Sequence, residues 1–429
     1  MRADFHCIAS NKIEEGRAEN QQVEVLRTNS WVDRIMTNEG GRIGEFLLAH
    51  GGPFYDLQRQ LGLLRENVFR AGSRALLFVG LAWGVPLILS LIDGNAFGQS
   101  SDKPYLLELG VWARFLVAVG LFMLMERQVE ERLRELLLEL VRAPLLAPGS
   151  IEAAAKAVTR ALKRRDARLA EAICLAIAIL ATIATYFRLL DGETLSWAVR
   201  VSPDGYALTL AGWWCVVVSN PLFWFLVMRW LWRLFVWAKL LHDLAALELR
   251  LVATHPDGQG GLAFIGQYPN AYATFVFALS CVLGAALAQE LIAGDLAPAT
   301  YGYVMGSWLL IVLLLLAWPL LAFRKPLADL KERTLLTCSA QATRHHRAAE
   351  RELLGKNISA AEDAEPVAAS EIPDPSKIYE TAGKLSVFPV SRTALLPVSA
   401  AALLPLVAAG ATQLPIKELL KVVKRLLLL

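Results

Sequence analysis

YVMGSWLLIVLLLLAWPLLAF, residues Tyr303–Phe323, carries no formally charged side chain from end to end. A helix of that length, rising ~1.5 Å per residue, crosses the ~30 Å hydrocarbon core of a bilayer. No water reaches the backbone there, so the segment must satisfy its own hydrogen bonds, and a helix does so. Working outward, the same test picks out Ala75–Ile92, Leu106–Met125, Ala170–Leu190, Leu208–Met228 and Tyr272–Ile292. The composition agrees, with 55% of residues apolar and only 19% charged, far from the balance of a soluble domain. The expected fold is therefore all-α: a polytopic helical membrane bundle of six to seven spans with a helical cytoplasmic layer.

Loop charges give the expected orientation, because lysine and arginine accumulate on the cytoplasmic side. Arg65, Arg70 and Arg74 precede the first span, and the loop from Glu126 to Arg168 holds ten basic residues. Arg229, Arg233, Lys239 and Arg250 follow the fourth span, and Arg324 and Lys325 follow the sixth. The alternate loops carry Lys103 alone, Arg200 alone, and no basic residue. This places the N-terminus in the cytoplasm. Trp213, Trp214, Trp224, Trp230, Trp232 and Trp237 crowd the fourth span, as expected of aromatic belts at the headgroups.

The chain divides into a cytoplasmic N-terminal region (1–74), a transmembrane bundle (75–323) with cytoplasmic helical loops at 126–168 and 229–271, a cytoplasmic segment (324–392), and a C-terminal part (393–429). Within the bundle loops, Glu126–Arg142 reads as a charged continuation of the second span, its leucines facing the extension of the fourth. Gly355–Lys377 is acidic and poor in large apolar groups, the composition of a mobile linker. Thr393–Ala409 is apolar but interrupted by Pro397 and Pro405. A seventh span is the favoured reading, since neighbouring helices can supply the missing partners. The basic amphipathic tail after it, with Lys417, Lys421, Lys424 and Arg425, suits an anionic membrane surface.

Ionisable and polar groups inside spans are costly, and so are functional candidates. Glu108, Arg114 and Glu290, with Asn220 at the Asn220-Pro221 break of the fourth span, make a candidate polar pathway. The alternative places both carboxylates at the outer interface, with Arg114 paired to one of them. A second candidate is the turn of His255, Asp257, Gly258, Gly260 and Gly261, whose proline and glycines force a tight, exposed backbone. It reads first as a rigid turn with Asp257 capping amides, and second as a ligand site, in which His242 and Asp243 could help hold a cation.

No Walker A, HExxH or GxSxG pattern is present, and the glycines of the turn follow no strand. The five cysteines form no CxxC pair and read as reduced thiols. No catalytic residue, metal or cofactor is expected, and an enzyme is the weaker class. A net charge of +3 is too small to suggest nucleic acid as a partner.

His255-Pro-Asp-x-x-Gly-Gly-Leu-x-Phe264 ahead of a span, Pro319 and Pro326 around the end of the sixth, and Glu352-Leu-Leu-Gly355 before a proline-broken segment together resemble a family of uncharacterised bacterial polytopic inner-membrane proteins. The resemblance implies location in a bacterial inner membrane and a similar topology, and it brings no reaction. The expected partners are the lipid bilayer and either a second copy or a cytoplasmic protein. Channel- or transporter-like activity is the first functional expectation. A sensor or scaffold acting through cytoplasmic helices is the second, and an enzyme or metal-binding protein using His255 and Asp257 is the third.

Overall fold

A computed structural model describes residues 46–48, 51–60, 71–97, 103–190, 196–202, 205–294, 297–360, 372–390, 392–413 and 424–426. Cys7, Arg65, Arg70, Lys417, Lys421 and the middle of the expected linker lie outside the described residues. Helix dominates. After a short α1 (Pro53–Gln60) come α2 (Ala71–Ile92), α3 (Leu109–Arg142), α4 (Ile151–Arg165), α5 (Arg168–Leu189), α6 (Leu210–Ala245), α7 (Ile265–Ala293), α8 (Thr300–Leu354), α9 (Ser376–Gly383) and α10 (Thr393–Gly410). Seven of these, α2, α3, α5, α6, α7, α8 and α10, are long and apolar enough to cross a bilayer. Leucine and isoleucine side chains along α5 and α8 point outward, as lipid-facing surface requires. The chain is a helical integral membrane protein.

Several helices continue past the spans read from the sequence, because nothing at Met125, Met228 or Phe323 stops them. One end of the bundle, the basic face, carries these extensions: the end of α3, the end of α6, and α8 from Arg324 onward. The α6 extension is covered by α4 and by the Trp318–Phe323 stretch of α8, more than by the leucines of α3. Phe46 and Leu48 are fully buried beneath it, and the Phe46 ring lies 6.0 Å from Trp237. The opposite end, the hairpin face, carries an antiparallel pair, β1 (Val199–Ser202) and β2 (Gly205–Leu208).

α10 crosses the bundle from the basic face to the hairpin face. At its start the Pro389 carbonyl lies so close to Gly266 of α7 that no Cβ would fit there. Two-thirds of the way along, the Pro405 carbonyl sits 3.0 Å from where a Cβ of Gly284 would be. Near its end the Tyr301 hydroxyl of α8 donates to the Leu406 carbonyl. Glycine at the helix contact lets two backbones approach, which is how membrane helices gain packing energy without a hydrophobic drive. Beyond it, Leu426 lies against Gly306 of α8.

The expected aromatic belts on α6 hold only in part. Trp213 is half exposed, but Trp230 and Trp237 are buried in the core. Trp230 packs edge-on to Tyr272, and Trp237 lies against Tyr268. Their face of α6 points at α7, and spacing along the sequence cannot distinguish that from a lipid-facing belt.

Candidate functional site

The Asn220-Pro221 pair does not break α6. The chain widens into a π turn over Cys215–Ser219, and the Asn220 amide donates back to the Cys215 carbonyl. α2 has a second π turn at Gly80–Gly84 and α3 a third at Trp112–Ala118. The α2 turn packs against each of the other two on the hairpin side of the bundle. Inserted π turns are common at functional sites, because they rotate the following side chains out of helical register. In α2 the logic is visible. The donor for the Leu81 carbonyl within a π turn would be residue 86, which is proline and has no N–H. The Trp214 indole supplies that bond at 2.9 Å, and the Tyr105 hydroxyl donates to the neighbouring Trp83 carbonyl at 2.7 Å.

Beside these turns lies a cavity of about 240 Å³ between α3, α5, α6 and α7, roofed by residues 196–199, where the chain turns into β1. Glu108, Arg114 and Asn220 all line it, joined by Lys103, Arg188 and Gln289. The structure thus brings together three of the four groups of the expected pathway. Glu290 is exposed, outside the lining, and Gln289 faces the cavity in its place. Arg114 pairs with neither carboxylate. Its guanidinium sits 5.9 Å from the Phe115 ring centroid and 5.8 Å from that of Phe223, and its Nε has no hydrogen-bond partner among the described residues. Glu108 instead accepts from the Trp197 indole. Asn220 is 1% exposed; its Oδ1 has no partner among the described residues, and its Nδ2 meets only the Cys215 sulfur, at 3.7 Å.

Toward the basic face an aromatic layer closes the bundle. Phe122 lies 6.2 Å from Phe223 and 5.5 Å from Phe275, and Trp230 is 6.4 Å from Phe275. Beyond this layer is a buried charge cluster that the sequence reading missed. Arg74 of α2 meets Glu126 of α3 at 2.5 Å, and the other oxygen of Glu126 takes Arg229 at 3.1 Å and Arg233 at 3.0 Å, both from α6. Arg229 also reaches Glu171 of α5 at 3.3 Å, and Glu171 accepts the Phe54 amide at 2.8 Å. All five charged side chains are less than a tenth exposed. Arg74, Arg229 and Arg233 read as loop cations, and Glu171 as an interfacial carboxylate. The available signal was spacing: Arg229 and Arg233 at i,i+4 stack on one helix face, directed at Glu126 at the same depth on its neighbour.

The His-Pro-Asp-Gly turn connects α6 to α7 on the basic face. Asp257 accepts amides from Gln259 at 2.8 Å, Gly261 at 3.1 Å and Ala263 at 3.1 Å, and lies 2.8 Å from His255 Nδ1. Burial pushes its carboxyl pKa up, but these amides and His255 outweigh burial and hold it below the ordinary 3.8. Gly258, Gly260 and Gly261 all have positive φ, and a Cβ on Gly261 would press on Leu145 at 2.9 Å. The turn therefore acts as a staple, with the Gly258 carbonyl also accepting the Ser386 amide at 2.9 Å. His242 lines a separate crevice between α6 and α8, and Asp243 pairs with Arg164 at 3.0 Å. Among the described residues no three His, Cys, Asp or Glu side chains converge as a metal-holding group.

No family model matches the chain, and neither a curated protein nor a solved structure matches it.

Proposed function

We propose that this membrane protein conducts or transports a small polar solute, with the hairpin-side cavity as its entry site. The observation that carries the reading is the cavity itself. It lies among four spans and holds a half-buried arginine whose Nε, and a fully buried asparagine whose Oδ1, has no hydrogen-bond partner among the described residues. A charged group at the centre of a membrane helix costs about 2.5–3.5 kcal/mol even by permissive scales, a cost that a bound ligand offsets. The aromatic layer and the charge cluster beyond it correspond to a form closed toward the basic face. The loop charges support placing that face in the cytoplasm, and the family resemblance supports a bacterial inner membrane. The test is solute and ion flux into proteoliposomes containing the purified full chain. Flux above that of empty liposomes, reduced by Arg114→Gln, is expected; no flux for any solute under an imposed gradient would refute the reading.

A second reading, a scaffold on the basic face, is favoured by one observation. The α8 extension carries strongly exposed Leu336 and Leu353, and Ile358 follows its glycine cap at Gly355. A soluble partner that copurifies with the full chain and is lost on Leu336→Ser with Leu353→Ser would support it.

A further inference from the structure

We infer that the hairpin-side cavity is an oxyanion site, taking a small carboxylate- or phosphate-bearing solute; this deepens, and rests on, the transport reading. The lining decides the sign. Lys103, Arg114 and Arg188 face a single carboxylate, Glu108, giving 3 − 1 = +2 from the charged side chains that line it. One oxygen of Glu108 is already engaged by the Trp197 indole. Arg114 is the decisive group. Its guanidinium is braced between the rings of Phe115 and Phe223, and among the described residues no carboxylate lies within ion-pair distance of it. A guanidinium withdrawn from water without a counter-charge is unfavourable, and a bound oxyanion accepting from its planar fork supplies that charge.

Asn220 provides the second, independent pointer. It is 1% exposed and lines the same cavity, with its Oδ1 free of hydrogen bonds among the described residues. A half-turn of the amide would present Nδ2 to the cavity, adding a neutral donor beside the arginine. Gln289 adds a further amide from α7, and Lys103 and Arg188, both exposed, stand at the rim where they would draw anions inward. A volume of about 240 Å³, roofed by residues 196–199, suits a small soluble anion better than a lipid headgroup with its chains.

The experiment reads tryptophan fluorescence of the detergent-purified full chain, since Trp197 touches Glu108. Malonate and inorganic phosphate are titrated at constant ionic strength, with choline as a cationic control. Saturable quenching by at least one oxyanion and none by choline is expected. Arg114→Gln should weaken binding tenfold or more, with Arg114→Lys recovering part of it, and Glu108→Gln should strengthen it two- to fivefold. Arg188→Gln, an exposed rim change that leaves the fold intact, should weaken it about threefold. The inference is overturned if choline binds and the oxyanions do not, if Glu108→Gln weakens anion binding, or if only nanodiscs containing phosphatidylglycerol change the signal. Flux in liposomes separates the two claims. Anion binding without flux sinks transport and leaves the site, whereas cation flux without anion binding sinks the site and leaves transport.

Discussion

Replacing Glu126 by glutamine is the sharpest test of how the basic face is held together. Glu126 is 1% exposed and meets three guanidinium groups, from Arg74, Arg229 and Arg233, at 2.5–3.1 Å. With charge centres about 4 Å apart, each such pair is worth roughly 4 kcal/mol of attraction at an effective dielectric of 20, most of it offset by desolvation. Removing the shared carboxylate takes one counter-charge from all three cations, while Glu171 stays on Arg229. Breaking a buried pair from one side costs about 3–5 kcal/mol, because the stranded charge stays buried. At roughly 1–2 °C per kcal/mol for a chain of this length, the apparent melting temperature should fall by about 3–10 °C. Differential scanning fluorimetry of the full chain in one detergent measures this. Glu131→Gln, five residues along the same helix and 58% exposed at its side chain, is the control and should shift little. Adding Arg233→Gln to Glu126→Gln should restore part of the loss, since the two changes share a partner. If Glu126→Gln melts with the Glu131→Gln control, the cluster does not join the helices as argued here.

Other outcomes follow from the turn and from α10. Asp257→Asn should destabilise the chain by about 1–3 kcal/mol at neutral pH, because the amide cannot accept all three backbone donors. Since the folded pKa of Asp257 is depressed, its contribution is present above 3.8 and is lost as pH falls through the folded value. The difference in denaturant midpoint between wild type and Asp257→Asn should accordingly shrink as the pH is lowered past 3.8, and a constant difference would count against the charge mattering. Gly266→Ala should cost more than Gly383→Ala, because only the former drives a Cβ into the Pro389 carbonyl; equal thermal stabilities would contradict the close approach of α10. With Cys7 replaced by serine, Ser386→Cys and Thr412→Cys should react with an impermeant maleimide from opposite sides of the membrane. Labelling of both from one side would mean that α10 does not cross.

Six of the spans were legible because lipid imposes a one-dimensional rule: about twenty apolar residues, ended by charge. The proline-broken segment was ambiguous for the same reason. Whether a helix tolerates Pro397 and Pro405 depends on what lies beside it, and Gly266, Gly284 and Tyr301 are more than a hundred residues from the groups they meet. Glu108, Arg114 and Asn220 could be singled out as costly, but not shown to share one cavity. Three π turns set that register, and nothing in the residue pattern of α3 announces its own. The turn at Asp257 was readable as a cap because its partners are local, at Gln259, Gly261 and Ala263.

The sequence alone therefore determined the solvent, the helical class, the main spans and the Asp257 turn, all of which depend on runs or on neighbours a few residues apart. Tertiary structure decided the rest. It turned Arg74, Arg229 and Arg233 from loop cations into buried partners of Glu126 and Glu171, moved two tryptophans from a lipid belt to the core, and replaced Glu290 by Gln289 at the cavity. The physical reason is common to all three: a charge or a ring on a helix near the membrane surface has the same local sequence whether it meets water, lipid or protein. Only the packing of distant helices fixes which of these surrounds it.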